Sequence, residues 1–169
     1  MNKKSYTVYI NSNDKMVGTK NNNATYQINW DDFIDRKYNS YKVNWNLTTS
    51  SGFYFDTLDN LMENAKVYID FGSKSFSFDT GTKSNSNCIG FIHRTNGNVD
   101  DVKFSLSANY LRNCPKMINR PTQNFIQVQI INSFDGLLFT NTGSTGIKEE
   151  DMTSYNLCLE FIPVEGSEI

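Results

Sequence analysis

Residues 41–47 read Tyr41-Lys42-Val43-Asn44-Trp45-Asn46-Leu47, and large apolar side chains alternate with polar ones at every position of this run. Successive side chains of a β-strand point to opposite faces of a sheet, so the run predicts a strand with one face buried and the other in water. Trp30 and Trp45 keep phase with aliphatic residues and are expected in the core. The same alternation returns at Tyr6/Val8/Ile10, Tyr26/Ile28/Trp30, Val67/Ile69/Phe71, Ile126/Val128/Ile130 and Tyr155/Leu157/Leu159/Phe161.

Nine short strands are expected along the chain, separated by clusters of turn-forming residues. A helix of one or two turns is expected at residues 56–65, where apolar residues recur at helical spacing. Residues 112–121 contain Pro115 and Pro121 and are expected to form a loop, because proline interrupts helices and central strands. The predicted strands cover residues 5–11, 24–30, 40–48, 65–71, 74–79, 87–93, 102–108, 124–131 and 155–162.

This pattern predicts an all-β fold in which two antiparallel sheets pack face to face as a sandwich. A single jelly roll of eight to nine strands with one short helix fits the strand number best, with residues 1–169 forming one domain. The rival is an immunoglobulin-type sandwich. That fold packs its strands into about 100 residues and carries a Cys…Trp…Cys signature, whereas both tryptophans here precede every cysteine.

Charge, cysteine content and hydropathy argue against several classes of protein. The net charge of −2 is not that of a general nucleic-acid binder. Cys88, Cys114 and Cys158 are odd in number and far apart, which favours a reducing compartment over a disulfide framework. No signal-peptide-like stretch follows the basic start, and no apolar run approaches the roughly 18 residues of a membrane span. We therefore expect no direct contact with nucleic acid or membrane.

Residues that commonly carry catalysis are sparse. His93 is the only histidine, and its place at the end of an apolar strand is typical of a structural residue. Zinc requires three or four nitrogen or sulfur ligands at suitable spacing, which this sequence does not supply. The acid pairs at 31–32, 100–101 and 149–150 are interpreted as turn and cap residues rather than as a glycosidase pair. The sequence predicts no enzyme, no catalytic residues, no metal, no cofactor and no small-molecule substrate.

Two segments superficially resemble ligand-binding loops. Residues 143–148 read GSTGIK, but a phosphate-binding loop needs lysine directly after its second glycine, followed by Ser or Thr. Residues 11–14 read NSND and offer oxygen atoms to calcium, yet they lack the charge and the glycine of an EF-hand loop. A simple turn is the favoured interpretation of the second segment.

The charges of the chain are divided unevenly along its length. Residues 135–169 carry seven acids against one lysine, a net charge of −6, whereas residues 1–134 carry 15 bases against 11 acids, a net charge of +4. Opposite patches suit head-to-tail contacts between identical subunits, although ordinary solvated loops are the alternative interpretation. The contact segments are predicted at residues 112–120 and 133–153. The candidate subunit contacts are Arg112, Lys116, Arg120, Asp135, Glu149, Glu150 and Asp151.

The opening of the chain carries a family resemblance. The segment Tyr9-Ile10-Asn11-Ser12-Asn13-Asp14-Lys15, followed by Gly18-Thr19 and the strand Tyr26-Gln27-Ile28-Asn29-Trp30, resembles single jelly-roll minor capsid and penton proteins of protist-infecting DNA viruses. These are the virophages, the polinton-like viruses and the nucleocytoplasmic large DNA viruses. In that family an Asn-Ser-x-Asp-Arg-like turn and a Gly-Thr step precede the first core strand. Lys15 replaces the family's arginine, which would weaken a bidentate contact.

The resemblance implies a structural viral capsid subunit, a penton or another minor capsid protein, that assembles through loops and sheet edges. A penton would form a homopentamer, with other capsid proteins as further partners, in a virion capsid assembled in the host cytoplasm. The alternative is a non-catalytic β-sandwich module that recognises glycan or protein, with Tyr54 as one aromatic candidate. An enzyme with an unrecognised site around His93 is the third possibility.

Overall fold

The computed structural model describes residues 4–14, 16, 23–32, 34–49, 53–54, 64–73, 78–79, 84–85, 87–94, 103–104, 106–108, 115–132 and 154–168. The elements in this part of the chain are almost all strands, with two single 3-10 turns at Ser12–Asp14 and Trp30–Asp32. The strands are β1 (Tyr6–Asn11), β2 (Asn23–Gln27), β3 (Ser40–Thr49), β4 (Phe53–Tyr54), β5 (Asn64–Asp70), β6 (Phe78–Asp79), β7 (Ser84–Asn85), β8 (Cys88–Arg94), β9 (Lys103–Phe104), β10 (Leu106–Ala108), β11 (Lys116–Asn119), β12 (Phe125–Asn132) and β13 (Tyr155–Pro163).

Eight of these strands form two antiparallel sheets of four. The first sheet has the order β1-β13-β3-β11, and the second has the order β2-β12-β5-β8. The short strand β10 pairs with both β3 and β8, so it links the two sheets at one end. Two further ladders, β4 with β9 and β6 with β7, are two residues long.

The pairing of the eight strands is nested along the chain. The first strand pairs with the last (β1 with β13), the second with the seventh (β2 with β12), the third with the sixth (β3 with β11) and the fourth with the fifth (β5 with β8). One long antiparallel hairpin, rolled up so that its pairs alternate between two sheets, gives this arrangement. It is the eight-stranded jelly roll. The predicted fold class is therefore confirmed.

The core lies between the two sheets and is built from the alternating apolar residues. Trp45 is buried and its indole Nε1 donates to the Ile89 carbonyl at 3.1 Å, which ties β3 to β8. Trp30 packs edge-on against Phe161, with ring centroids 5.3 Å apart. Both tryptophans are core residues, as predicted. The other predicted inward residues that are buried are Ile10, Tyr26, Ile28, Tyr41, Val43, Leu47, Val67, Ile69, Phe71, Ile126, Val128, Ile130, Tyr155, Leu157, Leu159 and Phe161.

The loop predicted at residues 112–121 is wrong in its second half. Lys116–Asn119 form strand β11, which pairs with Ser40–Val43 at the edge of the first sheet. Pro115 and Pro121 flank the paired residues and occupy none of the ladder positions. Proline is tolerated beside an edge strand, because there it removes no ladder hydrogen bond.

Smaller differences concern the ends of elements. Residues 64–65, the end of the predicted helix, open strand β5, and residues 56–63 lie outside the described residues. The predicted strand 24–30 ends at Gln27, and Trp30 begins a 3-10 turn while remaining buried. Predicted strands 74–79 and 102–108 are described only as β6, β9 and β10. In the part of the chain that the structure describes, no helix has the length and apolar character to cross a membrane.

Candidate functional site: the strand-end turn and the outer groove

The turn at the end of β1 contains the residues that carry the family resemblance. Ser12 is fully buried, and its Oγ accepts the backbone N–H of Tyr155 at 3.0 Å. Asn11 Nδ2 donates to Asn156 Oδ1 at 3.0 Å, and Asn11 Oδ1 accepts the backbone N–H of Asn13 at 2.9 Å. These bonds close the turn and attach it to the start of β13.

The same turn connects to the second sheet through two tyrosines. The hydroxyl groups of Tyr155 and Tyr26 lie 2.7 Å apart in the buried interior. Tyr26 belongs to β2, the strand that follows the turn in the segment with the family resemblance. The contact therefore links the strand-end turn to β2. Buried polar groups need such partners, and the Ser12 hydroxyl and the two tyrosine hydroxyls each have one. Lys15, Gly18 and Thr19 lie outside the described residues.

Several oxygen atoms of the turn accept hydrogen bonds from the protein itself. Asn11 Oδ1, one of the oxygen atoms considered for calcium, already accepts a backbone hydrogen bond. Among the described residues, no group of three or more His, Cys, Asp or Glu side chains is placed to hold a metal ion. The favoured interpretation of residues 11–14 as a turn is confirmed by the 3-10 turn Ser12–Asp14.

Two of the predicted subunit contacts lie in the described part of the chain. Arg120 follows β11 and is half-buried, and its guanidinium donates to the Arg36 carbonyl. Lys116 is only 6% exposed. Arg112 and the acidic candidates fall outside the described residues, so the predicted pairing of basic and acidic segments stays a prediction. The acidic candidates are Asp135, Glu149, Glu150 and Asp151.

Lys116 occupies an inward position of β11 and reaches the second sheet. Its Nζ donates to the Cys88 carbonyl at 2.6 Å. Burial lowers the pKa of this ammonium group, while the nearby Cys88 side chain acts in the opposite direction. The lysine thus connects the edge strand β11 to the start of β8.

A groove opens on the outer face of the first sheet, which we call the outer groove. Its floor comes from two neighbouring cross-strand rows, Tyr9–Cys158–Asn46 and Asn11–Asn156–Thr48. Asp14 of the strand-end turn also lines it, and the cavity volume is about 320 Å³. Tyr9 on β1 is 80% exposed. An exposed aromatic ring beside several amide side chains is an arrangement suited to ligand recognition.

Charge is scarce in the outer groove. Among the described residues that line it, Asp14 is the only Asp, Glu, Lys, Arg or His. Burial, followed by the neighbouring Glu160 carboxylate, raises the pKa of the Cys158 thiol. The next row along the sheet contains Glu160, whose Oε2 accepts from Asn44 Nδ2 at 3.0 Å. The described residues that line the groove therefore give it little charge, and its surface combines apolar atoms with a few amide and hydroxyl groups.

Sequence reasoning did not find the outer groove. Its residues come from β1, β3 and β13, and their meeting depends on a register that joins positions more than one hundred residues apart. The sequence feature that could have indicated the groove is the set of polar residues that alternate with the apolar ones in β3, because Asn46 and Thr48 share a face.

His93, the residue considered for catalysis, lies near the end of β8, as predicted. It pairs with Ser107 on one side and with Asn64 on the other.

The sequence matches no protein-family model and no curated protein.

Proposed function

We propose that this protein is a structural subunit of a viral capsid, either a penton or another minor capsid protein. It assembles with copies of itself and with other capsid proteins through its loops and sheet edges, and the role involves no chemical step. The observation that carries the proposal is the nested strand pairing, joined to the Asn11-Ser12-x-Asp14 turn that closes its first strand. The location that follows is the virion capsid, with assembly in the host cytoplasm.

The strand edges support an assembly role. Among the described strands, β1 pairs only with β13 and β11 pairs only with β3, so each has a second edge directed away from the sheet. Edge strands offer backbone donors and acceptors to a neighbouring chain. Buried hydrogen bonds between Ser12 and Tyr155 and between Tyr155 and Tyr26 hold the end of β1 in place. A fixed edge loses little conformational entropy when a neighbour binds.

The charge distribution supports contacts between unlike segments of neighbouring copies. Residues 135–169 have a net charge of −6 and residues 1–134 have a net charge of +4. Such complementarity favours a heterologous interface, which closes into a ring when the rotation between subunits permits. For a penton this ring is a homopentamer.

A charge-swap experiment tests this assembly. The acidic variant carries Glu149→Lys, Glu150→Lys and Asp151→Lys, and the basic variant carries Arg112→Glu and Arg120→Glu. Native mass spectrometry at about 50 mM and about 500 mM salt, which differ in electrostatic screening, is expected to show a closed oligomer for the wild type at low salt. Each single set of reversals should shift it towards monomer, and the combined variant should restore the oligomer.

The control is Lys42→Glu, an exposed reversal on β3 outside the predicted contact segments. It should assemble like the wild type, and circular dichroism should show folded protein for all variants. A wild type that is monomeric at both salt concentrations would contradict self-assembly. An oligomer that forms in every variant would support self-assembly, but it would show that the charged segments are not its contacts.

A second candidate function, glycan recognition, is favoured by the outer groove around the exposed Tyr9. A capsid subunit can carry such a groove, so the two functions are compatible.

A further inference from the structure

Three strands place a set of uncharged recognition groups on the outer face of the first sheet. Tyr9 and Asn11 come from β1, Asn46 from β3 and Asn156 from β13. We propose that the outer groove is a binding site for a neutral saccharide, with Tyr9 as its stacking platform and the three amide side chains as its hydrogen-bonding groups. This inference does not depend on the capsid proposal.

The exposure of Tyr9 indicates that the ring is available to a ligand. Its side chain is 80% exposed and projects from β1, the outermost strand of the sheet. Tyrosine offers an apolar ring face and a polar hydroxyl. Because it has only two side-chain torsions, it loses little conformational entropy when a ligand orders it. The pyranose ring of a sugar has the complementary form, with an apolar face of C–H groups and a rim of hydroxyl groups.

The amide side chains of the groove are complementary to the hydroxyl groups of a sugar. An asparagine side chain both donates and accepts, as does a sugar hydroxyl, so one residue can serve neighbouring hydroxyl groups. Asn156 is already held by the 3.0 Å hydrogen bond from Asn11, which orders it before a ligand arrives. Asn46 and Thr48 are exposed on the adjacent strand β3. The volume of about 320 Å³ is at the lower end of small-ligand pockets.

The groove chemistry disfavours other ligand classes. A phosphate or a nucleic acid requires cationic groups, and none of the described residues that line the groove is Lys or Arg. The surface of the groove is mostly apolar, but the Asn, Thr and Asp side chains among its lining residues would be left without hydrogen-bond partners beneath a lipid or an apolar peptide. Asp14 in the lining disfavours acidic sugars, because like charges repel. A neutral hexose or N-acetylhexosamine chain suits the exposed ring and the amide groups best.

A glycan array carrying neutral, N-acetylated, sialylated and sulfated oligosaccharides tests the proposal. We expect neutral or N-acetylated members to bind, and the best of them is then titrated by isothermal calorimetry. Tyr9→Ala should weaken binding about tenfold or more, since it removes the stacking surface, and Tyr9→Trp should retain it. The matched control is Met117→Ala, an exposed residue on the outer face of the same sheet, in β11, which should bind like the wild type.

Cys158 provides a second readout within the groove. Its alkylation by iodoacetamide, run at about pH 9.5 because burial raises the pKa of this thiol, should slow at least several-fold when the titrated saccharide is added. Cys88 belongs to the second sheet, at the start of β8, and its alkylation should not change. Mass spectrometry of the two peptides separates the rates.

Three results would overturn the proposal. The first is an array without neutral or N-acetylated binders. The second is binding restricted to sialylated or sulfated members. The third is protection of Cys158 that depends on protein concentration and not on saccharide, because the groove would then be covered by a second copy of the chain.

Discussion

Ser12 illustrates how a single polar side chain can hold the first and last strands of the sandwich together. Its hydroxyl is fully buried and accepts the backbone N–H of Tyr155 at 3.0 Å. Alanine at this position would leave that N–H without its acceptor in a buried environment. An unsatisfied buried donor costs more than the hydrogen bond contributes when it is present.

Ser12→Ala is therefore expected to lower the free energy of unfolding by about 1–3 kcal/mol. Urea denaturation followed by tryptophan fluorescence measures the change, because both tryptophans lie in the core. Thr7→Ala is the control, since Thr7 is exposed on the same strand. Equal unfolding free energies for the two variants would show that the Ser12 hydrogen bond does not stabilise the turn.

Tyr41 is a residue whose ionisation should be visible in alkaline stability. It is fully buried, and its hydroxyl donates to the Asp35 carbonyl at 2.6 Å. Burial, followed by the nearby Tyr6 and Asp35, raises its pKa to about 12. The unfolded chain ionises at the ordinary value of about 10, so the contribution of Tyr41 is complete below pH 10 and is lost as the pH rises towards 12.

Urea denaturation between pH 9 and pH 12 should show this loss in the wild type. Tyr41→Phe, which cannot ionise, should show a shallower decline over the same interval. Its stability below pH 9 should be lower than that of the wild type by a constant amount, because the hydrogen bond to Asp35 is absent. Parallel declines in the two proteins would exclude Tyr41 as the titrating group.

At the scale of elements, β11 shows a strand stabilised from one side only. It pairs with β3 and uses its inward residues, Lys116 and Ile118, to reach the interior. Lys116 donates to the Cys88 carbonyl on the opposite sheet, whereas Ile118 joins the hydrophobic core and is 1% exposed. The neighbouring Met117 points outward and is 37% exposed. Alternation therefore continues in a strand that is only four residues long.

Ile118→Ala should lower the unfolding free energy by about 2–4 kcal/mol, because it removes buried volume from a packed interior. Met117→Ala should change it by less than about 0.5 kcal/mol, since a surface position loses little packing. Urea denaturation of the two variants in parallel makes the comparison. Similar losses at both positions would contradict the described register of β11.

The elements show which parts of the fold the alternation could predict. β3 and β13 are long and strictly alternating, so their inward residues, from Tyr41 to Leu47 and from Tyr155 to Phe161, were assigned correctly. β11 was missed because it has two inward positions and one of them is lysine, so no apolar alternation is visible. The turn at residues 11–14 was predicted from side chains that bond to the backbone, but its attachment to β13 depends on tertiary pairing.

The outer groove also depends on pairing between distant parts of the chain, which alternation alone does not predict. Tyr9, Asn46 and Cys158 are unremarkable polar or outward positions in their own strands. They become one site only because β13 lies between β1 and β3 in the first sheet. Periodicity gives the face of each side chain but not its neighbours on other strands. A site formed across three strands therefore requires the strand order as well as the sequence pattern.

At the scale of the whole molecule, the nested pairing brings the two ends of the described chain together. β1 and β13 are the first and last strands and lie side by side over six residue pairs, from Tyr6 with Phe161 to Asn11 with Asn156. The interior is filled by packing side chains, while edges, loops and outer faces are left for contacts. This division suits a building unit whose neighbours attach around its rim, and it is the basis of the capsid proposal.

Single-particle electron microscopy of the purified protein at low salt tests this proposal most directly. We expect closed ring-shaped particles, with five-fold symmetry for a penton, in which each subunit is a two-sheet sandwich and neighbouring subunits touch through loops or sheet edges. Particles that remain single subunits at high protein concentration would contradict it.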